Sequence, residues 1–373
     1  MTNHPFPDLI SPEQALDFLV AGRPLLDVRA EIEFERSHIP GTLNLPILTT
    51  EERILVGTAY RVEGKETAIR LGHKLVSDEV KAERILTWQQ QIKSENIPAL
   101  FCARGGMRSS IAATWLSEAG TSTARVAGGY KALRNLILER FNYHSSESKF
   151  FLLDGRTGVG KTLFLNAIQE ELPTVDLEKA ANHRGSAFGW KVAPQPHQAT
   201  FENNIVLQLE QARLKSSGPI IIEAESAWIG SRYIPKLLYN AMKASDVLVL
   251  EAPLDARIEV ILEEYVRSPL TSIGSEELKQ SILRSLGGIY RRLSKAKVAE
   301  CRALIELAFE KSDSNGELDL HREWIKYLVT EYYDPLYDKL LKNPAKNIVC
   351  RGDAAEIKEY IYNITDDRKT LNV

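Results

Sequence analysis

Cysteine is scarce in this sequence. Cys102, Cys301 and Cys350 are the three in 373 residues, too few and too scattered for a disulfide framework or a zinc site, which fits a reducing compartment. An excess of one charge is also missing: 47 basic residues face 50 acidic ones, for a formal net charge of -3. Overall charge therefore does not announce a nucleic-acid partner, and a local basic face would be needed to hold one. No apolar run approaches the roughly 18 residues of a membrane span, and Met1 to Ile10 carries no basic stretch leading into an apolar one. The expectation is a cytoplasmic chain with no signal peptide and no membrane contact. Internal repeats of fixed period and low-complexity tracts are absent too, which sets solenoids aside.

What is present is enough chain for two cores and an ordinary globular composition, 44% hydrophobic and 26% charged. Ser11-Pro12-Glu13-Gln14 reads as a helix start, with Ser11 as N-cap and Gln14 placed for a capping box; Gly22 suits its end. Pro24 to Val28 and Ala99 to Phe101 read as short buried strands, residues 51–95 as a polar insertion of two or more helices, and Ser109 to Glu118 as a helix stopped at Gly120. The polar, Ser-rich stretch Asn142 to Ser148 reads as a boundary. Beyond it Phe150 to Leu153, Ile220 to Ile222 and Val247 to Leu250 are apolar strands separated by helical stretches. That rhythm implies a parallel sheet with helices on both faces. Residues from Asp255 to about Leu341 read as nearly all helical, with a last strand at Asn347 to Cys350 and a closing helix from Asp353. The expected domains are 1–142, carrying the 51–95 insertion, and 149–373.

Phe101-Cys102-Ala103-Arg104-Gly105-Gly106-Met107-Arg108-Ser109 runs from a strand end into a helix start. Gly105 and Gly106 let the backbone curl so that several N–H groups face one point. Arg104, Arg108 and the helix N-terminus all favour thiolate over thiol at Cys102. The effect matters because a free cysteine near pKa ~8.5 is only about 3% thiolate at pH 7. The same loop would bind an oxyanion, such as a sulfur or selenium donor bearing phosphate or sulfate. Cys301 and Cys350 lack any such loop and are read as inert.

Asp27-Val28-Arg29, Glu33-Phe34 and His38-Ile39-Pro40-Gly41-Thr42-Leu43-Asn44-Leu45-Pro46 resemble the rhodanese framework, and Gly128-Gly129-Tyr130 its closing motif. The likeness covers roughly residues 5 to 140. It implies a rhodanese-like α/β domain in which the loop cysteine, here Cys102, carries a transferable chalcogen. Asp27, Arg29 and His38 are expected to be framework residues.

Gly155-Arg156-Thr157-Gly158-Val159-Gly160-Lys161-Thr162 is a complete P-loop pattern between a strand and a helix. Backbone N–H groups there point at phosphate oxygens, with Gly155, Thr157, Gly158 and Gly160 shaping the loop; Lys161 adds a full charge and Thr162 can hold Mg²⁺. Glu223 and Glu225, after Ile220 to Ile222, are the candidate second carboxylates, where the usual acid is Asp. No Asn-Lys-x-Asp sequence for guanine recognition is present, which disfavours a GTPase.

The succession of these two motifs resembles the bacterial tRNA 2-selenouridine synthase family. Further segments carry the likeness: Asp176-Leu177-Glu178, His183-Arg184-Gly185-Ser186-Ala187-Phe188-Gly189, Phe201-Glu202-Asn203, Glu223-Ala224-Glu225-Ser226 and Tyr332-Tyr333-Asp334-Pro335-Leu336-Tyr337. The resemblance implies a transferase acting on the wobble 2-thiouridine of tRNA. Its sulfur is alkylated by geranyl diphosphate, and selenium from selenophosphate then replaces the S-geranyl group. No tightly bound cofactor is implied. Arg104, Gly105, Gly106, Arg108, His183 and Arg184 become candidate substrate-binding residues, with Mg²⁺ at Thr162 and Glu223. Tyr332, Tyr333 and Tyr337 are read as helix-end packing, with RNA stacking as the competing role. Two other readings stay open: a sulfurtransferase fused to an ATP-dependent kinase, and a nucleotide-controlled binding module.

Overall fold

The computed structural model describes residues 8–370 apart from 187, 290–292, 316–317 and 342–346. The first seven residues of the amino-terminal reading, and Ala187 of the segment His183–Gly189, lie outside the described residues. The described chain divides into two compact units, Met1–Tyr143 with His197–Gln211, and His144–Pro196 with Ala212–Val373.

The first unit is built on five short strands, β1 Leu9–Ile10, β2 Leu25–Asp27, β3 Thr42–Asn44, β4 Ala99–Phe101 and β5 Ala124–Val126. They pair in parallel in the order β1-β5-β4-β2-β3. Leu25, Leu26, Leu100 and Phe101 are fully buried, as strands covered on both faces must be. The expected capping box at Ser11 is present: Gln14 N–H donates to Ser11 Oγ at 3.2 Å and Ser11 N–H to Gln14 Oε1 at 3.0 Å. The insertion forms three helices, Thr50–Val62, Lys65–Leu75 and Asp78–Ser94. Trp88 anchors the third: it is buried, stacks with Trp115 at 6.4 Å between ring centroids, and donates its indole N–H to the Leu45 carbonyl at 3.1 Å.

The Ser-rich stretch read as a boundary does hold the division between the units, at Tyr143 and His144, and it is helical. One helix runs Gly129–Glu147, because Phe141, His144 and Ser145, spaced three and four apart, share a buried face. The burial of those three side chains carries the helix through the polar stretch.

The second unit holds β6 Phe150–Gly155, β7 Thr174–Val175, β8 Ile220–Glu223, a small antiparallel hairpin of β9 Trp228–Ile229 and β10 Arg232–Tyr233, then β11 Asp246–Leu250 and β12 Ile348–Gly352. The main sheet is parallel in the order β12-β11-β6-β8-β7. Its strand succession reverses at β6, and in an open parallel sheet ligands bind beyond the carboxyl ends of the strands at such a reversal. The P-loop leaves β6 at that end. The expected all-helical stretch closes on its own core, with Leu286, Ile305, Phe309 and Trp324 buried. Two single π-helical turns interrupt it, Glu263–Arg267 and Val329–Tyr333. No helix of the described residues is long and apolar enough to cross a membrane.

Candidate active sites

In the first unit the strand β4 delivers Cys102 into a loop that ends at the helix Met107–Glu118. Gly105 has φ +62° and Gly129 φ +58°, and the two glycines face each other across the loop. A Cβ on Gly129 would stand 2.2 Å from the Cys102 carbonyl oxygen and 2.4 Å from the Gly105 nitrogen, so no side chain fits there. The closing motif is thus a clamp on the loop: Tyr130 N–H donates to the Cys102 carbonyl at 2.9 Å and Lys131 N–H to that of Ala103 at 3.0 Å.

Behind the loop Arg29 forks onto Asp27, Nε to Oδ1 at 3.0 Å and Oδ2 at 2.8 Å, and donates Nη2–H to the Ser37 carbonyl at 2.9 Å. Its guanidinium lies 3.9 Å from the centroid of the Tyr130 ring. His38 makes framework contacts only, with Nδ1 at 3.1 Å from the Phe34 carbonyl and the ring stacked on Phe34. Its carbonyl accepts from Asn203 Nδ2 at 2.6 Å, and Arg134 donates to Asn203 Oδ1 at 2.6 Å. The Phe201-Glu202-Asn203 segment therefore braces the first unit, although it follows the P-loop in sequence.

Cys102 is buried, with Sγ 3.3 Å from Ser109 Oγ. Burial alone would raise its thiol pKa. Hydrogen bonding from Ser109 and from the Arg104 backbone, with the Arg108 charge, outweighs burial and holds the thiol below its ordinary value. The other two cysteines go the opposite way: burial and Glu300 push Cys301 up to about 12, and burial raises Cys350. Arg104 is exposed, and among the described residues no carboxylate pairs with it. Arg108 is committed differently from the expectation of a free anion ligand. It pairs with Glu33, Nη1 to Oε2 at 2.5 Å and Nη2 to Oε1 at 3.0 Å, so a bound donor would share Arg108 with that carboxylate.

In the second unit Gly160, with φ +86°, is the N-cap of the helix Lys161–Ile168, and Gly158 has φ +78°. A Cβ on Gly158 would lie 2.6 Å from the Arg257 carbonyl. Arg257 fixes the loop from below, donating Nε–H to the Thr157 carbonyl at 2.9 Å and forking onto Asp334 at 2.6 and 3.0 Å. Arg156 is tied to Asp334 at 3.0 Å and to Asp338 at 2.6 Å, which removes it as a free cation.

Lys161 faces four carboxylates. Burial would lower its pKa, but Glu225, Glu178, Glu223 and Asp154 outweigh burial and raise it, so the ammonium stays charged. Burial and then Glu178 raise Glu225 to about 8, and burial with its acidic neighbours raises Glu223 well above the usual range. Thr162 Oγ1 lies 3.1 Å from Glu223 Oε1 and 3.2 Å from Glu178 Oε2. These hard oxygen donors suit Mg²⁺. Among the described residues no three acidic, His or Cys side chains form a metal cage by themselves, so phosphate oxygens would have to complete the sphere.

Asp154, Lys161, Thr162, Glu178 and Glu225 open into a cavity of about 380 Å³ lined also by Arg184, Glu264, Tyr265, Tyr332, Tyr333, Leu336 and Tyr337. Arg184 lies 3.5 Å from Glu264 and stacks over Tyr265. His183 does not line the cavity: its ring packs beside Gly230, where a Cβ would meet it at 2.8 Å. Of the tyrosines expected to pack a helix end, Tyr332 is buried in the helical core, and all three, Tyr332, Tyr333 and Tyr337, reach the cavity.

Comparison with known proteins fits this geometry. Residues 11–136 match the model of the rhodanese-like domain, and residues 148–367 match that of the tRNA 2-selenouridine synthase AAA domain. The chain is 38% identical over 359 residues to a tRNA 2-selenouridine synthase of Shewanella denitrificans, covering 94% of this chain and 97% of that one. The chain belongs to the tRNA 2-selenouridine synthase family. A member from Marinobacter nauticus is 38% identical, covering 90% of this chain and 93% of its own length. A solved structure, an N-terminal domain of an ATP/GTP binding protein from Clostridium difficile 630, is 36% identical over 35% of this chain with a TM-score of 0.32.

Sequence reading gave no role to Glu178, Glu264 and Tyr265 at the second site of this family member, and gave Tyr332 and Tyr333 helix packing with RNA stacking as the competing role. Glu178 lay inside a quoted segment without a role; here Oε1 accepts the Gly185 N–H at 2.6 Å while the other oxygen meets Thr162. Glu264 and Tyr265 sit on the first π turn and Tyr332 and Tyr333 on the second. Such turns accompany functional sites, but they shift the helical period and so hide from a 3.6-residue reading.

Proposed function

We propose that this chain converts the wobble 2-thiouridine of tRNA to 2-selenouridine in two steps, one in each unit. The observation that carries the reading is a glycine-shaped loop in each unit, one holding a lowered thiol and one holding a charged lysine beside an aromatic cavity.

The P-loop unit performs the alkylation. The C2 sulfur attacks C1 of geranyl diphosphate, the C–O bond breaks, and pyrophosphate leaves with the electron pair. Loop N–H groups and Lys161 stabilise the charge that develops on that leaving group, with no nucleotide hydrolysed. Thr162 and Glu223 would hold a Mg²⁺ that shares the same task. The tyrosine faces of the cavity suit both an isoprenoid chain and positive charge on an allylic carbon.

Alkylation turns sulfur into a better leaving group. In the rhodanese unit the Cys102 loop receives selenophosphate, with Arg104 as its unpaired cation. The Cys102 thiolate attacks phosphorus, the P–Se bond breaks, and selenide leaves with the electron pair inside the loop, while water later hydrolyses the S–phosphoryl bond to orthophosphate. At uridine C2 the C–Se bond forms, the C–S bond breaks, and geranyl thiolate departs with the pair.

Mass spectrometry of tRNA nucleosides tests the division of labour. Cys102→Ala is expected to accumulate S-geranyl-2-thiouridine and make no 2-selenouridine. Normal selenation by that variant would remove Cys102 from the chemistry. One observation favours a second reading, a nucleoside phosphate in the P-loop: another cavity of about 540 Å³, lined by Arg156, Pro253, Arg257, Arg351 and Asp353, shares Val159 and Tyr337 with the first. ATP turnover dependent on Lys161 would support that alternative.

A further inference from the structure

The helical insertion of the first unit builds a cavity that neither loop accounts for. It has a volume of about 260 Å³ and apolar walls that include Ile47, Val56, Ile69, Ile111 and Trp115. At about 30 Å³ per heavy atom, roughly the liquid share of one water, that space holds on the order of nine carbons. Two features tie it to the Cys102 loop. Met107 and Arg108, the first residues of the helix that leaves that loop, form part of its wall. Ile47, Leu48, Val76 and Trp115 around it belong to the same apolar cluster as Cys102 itself. Its mouth leaves apolar surface in water, since Met107 is 45% and Tyr60 58% exposed. Apolar side chains grouped at the rim of a pocket mark a ligand surface.

We infer that this cavity seats the ten-carbon prenyl chain of the S-geranyl base while selenium replaces sulfur at the Cys102 loop. The inference rests on the two-step reading and adds to it a second prenyl site, distinct from the P-loop cavity where the chain is first transferred. Chemistry demands such a seat. The substrate of the second step is a thioether with an apolar tail beside a reaction that handles a polar anion. A tail lying in water would compete with productive placement of C2. Holding it against Trp115 and Ile111 points its sulfur end toward the loop through the opening at Met107. The released geranyl thiol would leave by the same mouth.

Gly72 offers the test. It lines the cavity within the helix Lys65–Leu75, and a Cβ there would lie 3.8 Å from Val56 Cγ2, an ordinary contact. Gly72→Leu therefore fills the cavity from an open position, and leucine suits a helix better than glycine. The probes are two synthetic anticodon stem-loops, one bearing S-geranyl- and one S-methyl-2-thiouridine, whose leaving groups are both alkyl thiolates. With the full chain, calorimetry reads their binding, and nucleoside mass spectrometry reads their exchange with selenophosphate. The wild type should prefer the geranyl RNA by on the order of 10²-fold or more, from the apolar area buried. Gly72→Leu should reduce that preference at least about tenfold in both readouts. Met107→Ser, at an exposed position that leaves the core untouched, should move it the same way. A preference unchanged in both variants, or equal losses on both RNAs, would overturn the assignment. If the binding preference responds but no selenium enters either RNA, the two-step reading fails and the prenyl site stands. If selenium enters both RNAs at equal rates in the wild type, the prenyl site fails and the two-step reading stands.

Discussion

Ser109→Ala should raise the thiol pKa of Cys102, and the size of the rise can be worked from the hydrogen bonds around it. Ser109 Oγ lies 3.3 Å from Cys102 Sγ and 3.0 Å from the Gly106 carbonyl. A hydroxyl has one proton. With a neutral thiol that proton goes to Gly106, and the S–H donates to Oγ. With a thiolate it turns to sulfur and gives up the Gly106 carbonyl. A hydrogen bond to a charged group is worth about 1.5–3 kcal/mol, and the neutral bond surrendered about 1 kcal/mol. The net gain on ionisation is then about 1 kcal/mol, a little under one pKa unit. The direction is fixed by charge: the wild-type thiol sits below its ordinary value, so losing a thiolate donor moves it up and lowers the thiolate fraction. Iodoacetamide alkylation as a function of pH, read by peptide mass at Cys102, measures the midpoint in both proteins. A midpoint unmoved or lowered by Ser109→Ala would refute the view that Ser109 stabilises the thiolate.

Other consequences can be measured. Gly129→Ala forces a Cβ to 2.2 Å from the Cys102 carbonyl at φ +58°. A left-handed alanine costs about 1–2 kcal/mol and the overpacking about 1–3 kcal/mol, so urea unfolding should show the first unit destabilised and selenation lost, with S-geranylation retained. Asp334→Ala strips the partner from Arg257, whose side chain is 4% exposed. Breaking a buried pair costs about 3–5 kcal/mol, here toward the lower end because Arg257 keeps its bond to Thr157; denaturant titration and weaker diphosphate binding would record it. Lys161→Ala should slow geranylation by about 10²- to 10³-fold, with Thr162→Ala milder; single-turnover rates with geranyl diphosphate decide this.

Much of the architecture could be read from the chain because local signals and burial agree. The capping box at Ser11, the strand before Cys102 and the glycines of the P-loop each state their own geometry. The parallel sheets follow from apolar strands alternating with helices. What could not be read depends on contacts distant in sequence. Nothing near Asn203 reveals that it braces His38. Nothing around Ser145 reveals that its burial extends a helix through a polar stretch. The pairing of Arg108 with Glu33 turns a cation expected to meet substrate into the partner of a carboxylate, and Asp334 and Asp338 hold Arg156 in the same way. The cavity walls contributed by Glu264, Tyr265, Tyr332 and Tyr333 depend on π turns that hydrophobic spacing does not encode.

The central claim is that each unit performs its own step, and supplying the intermediate ready-made tests it most directly. tRNA already bearing S-geranyl-2-thiouridine is incubated with selenophosphate and the Lys161→Ala chain, without geranyl diphosphate. The account predicts 2-selenouridine at the wild-type rate, because the P-loop has no part in the second step, and none with Cys102→Ala. Failure of Lys161→Ala to convert the supplied intermediate, or conversion by Cys102→Ala, would contradict it.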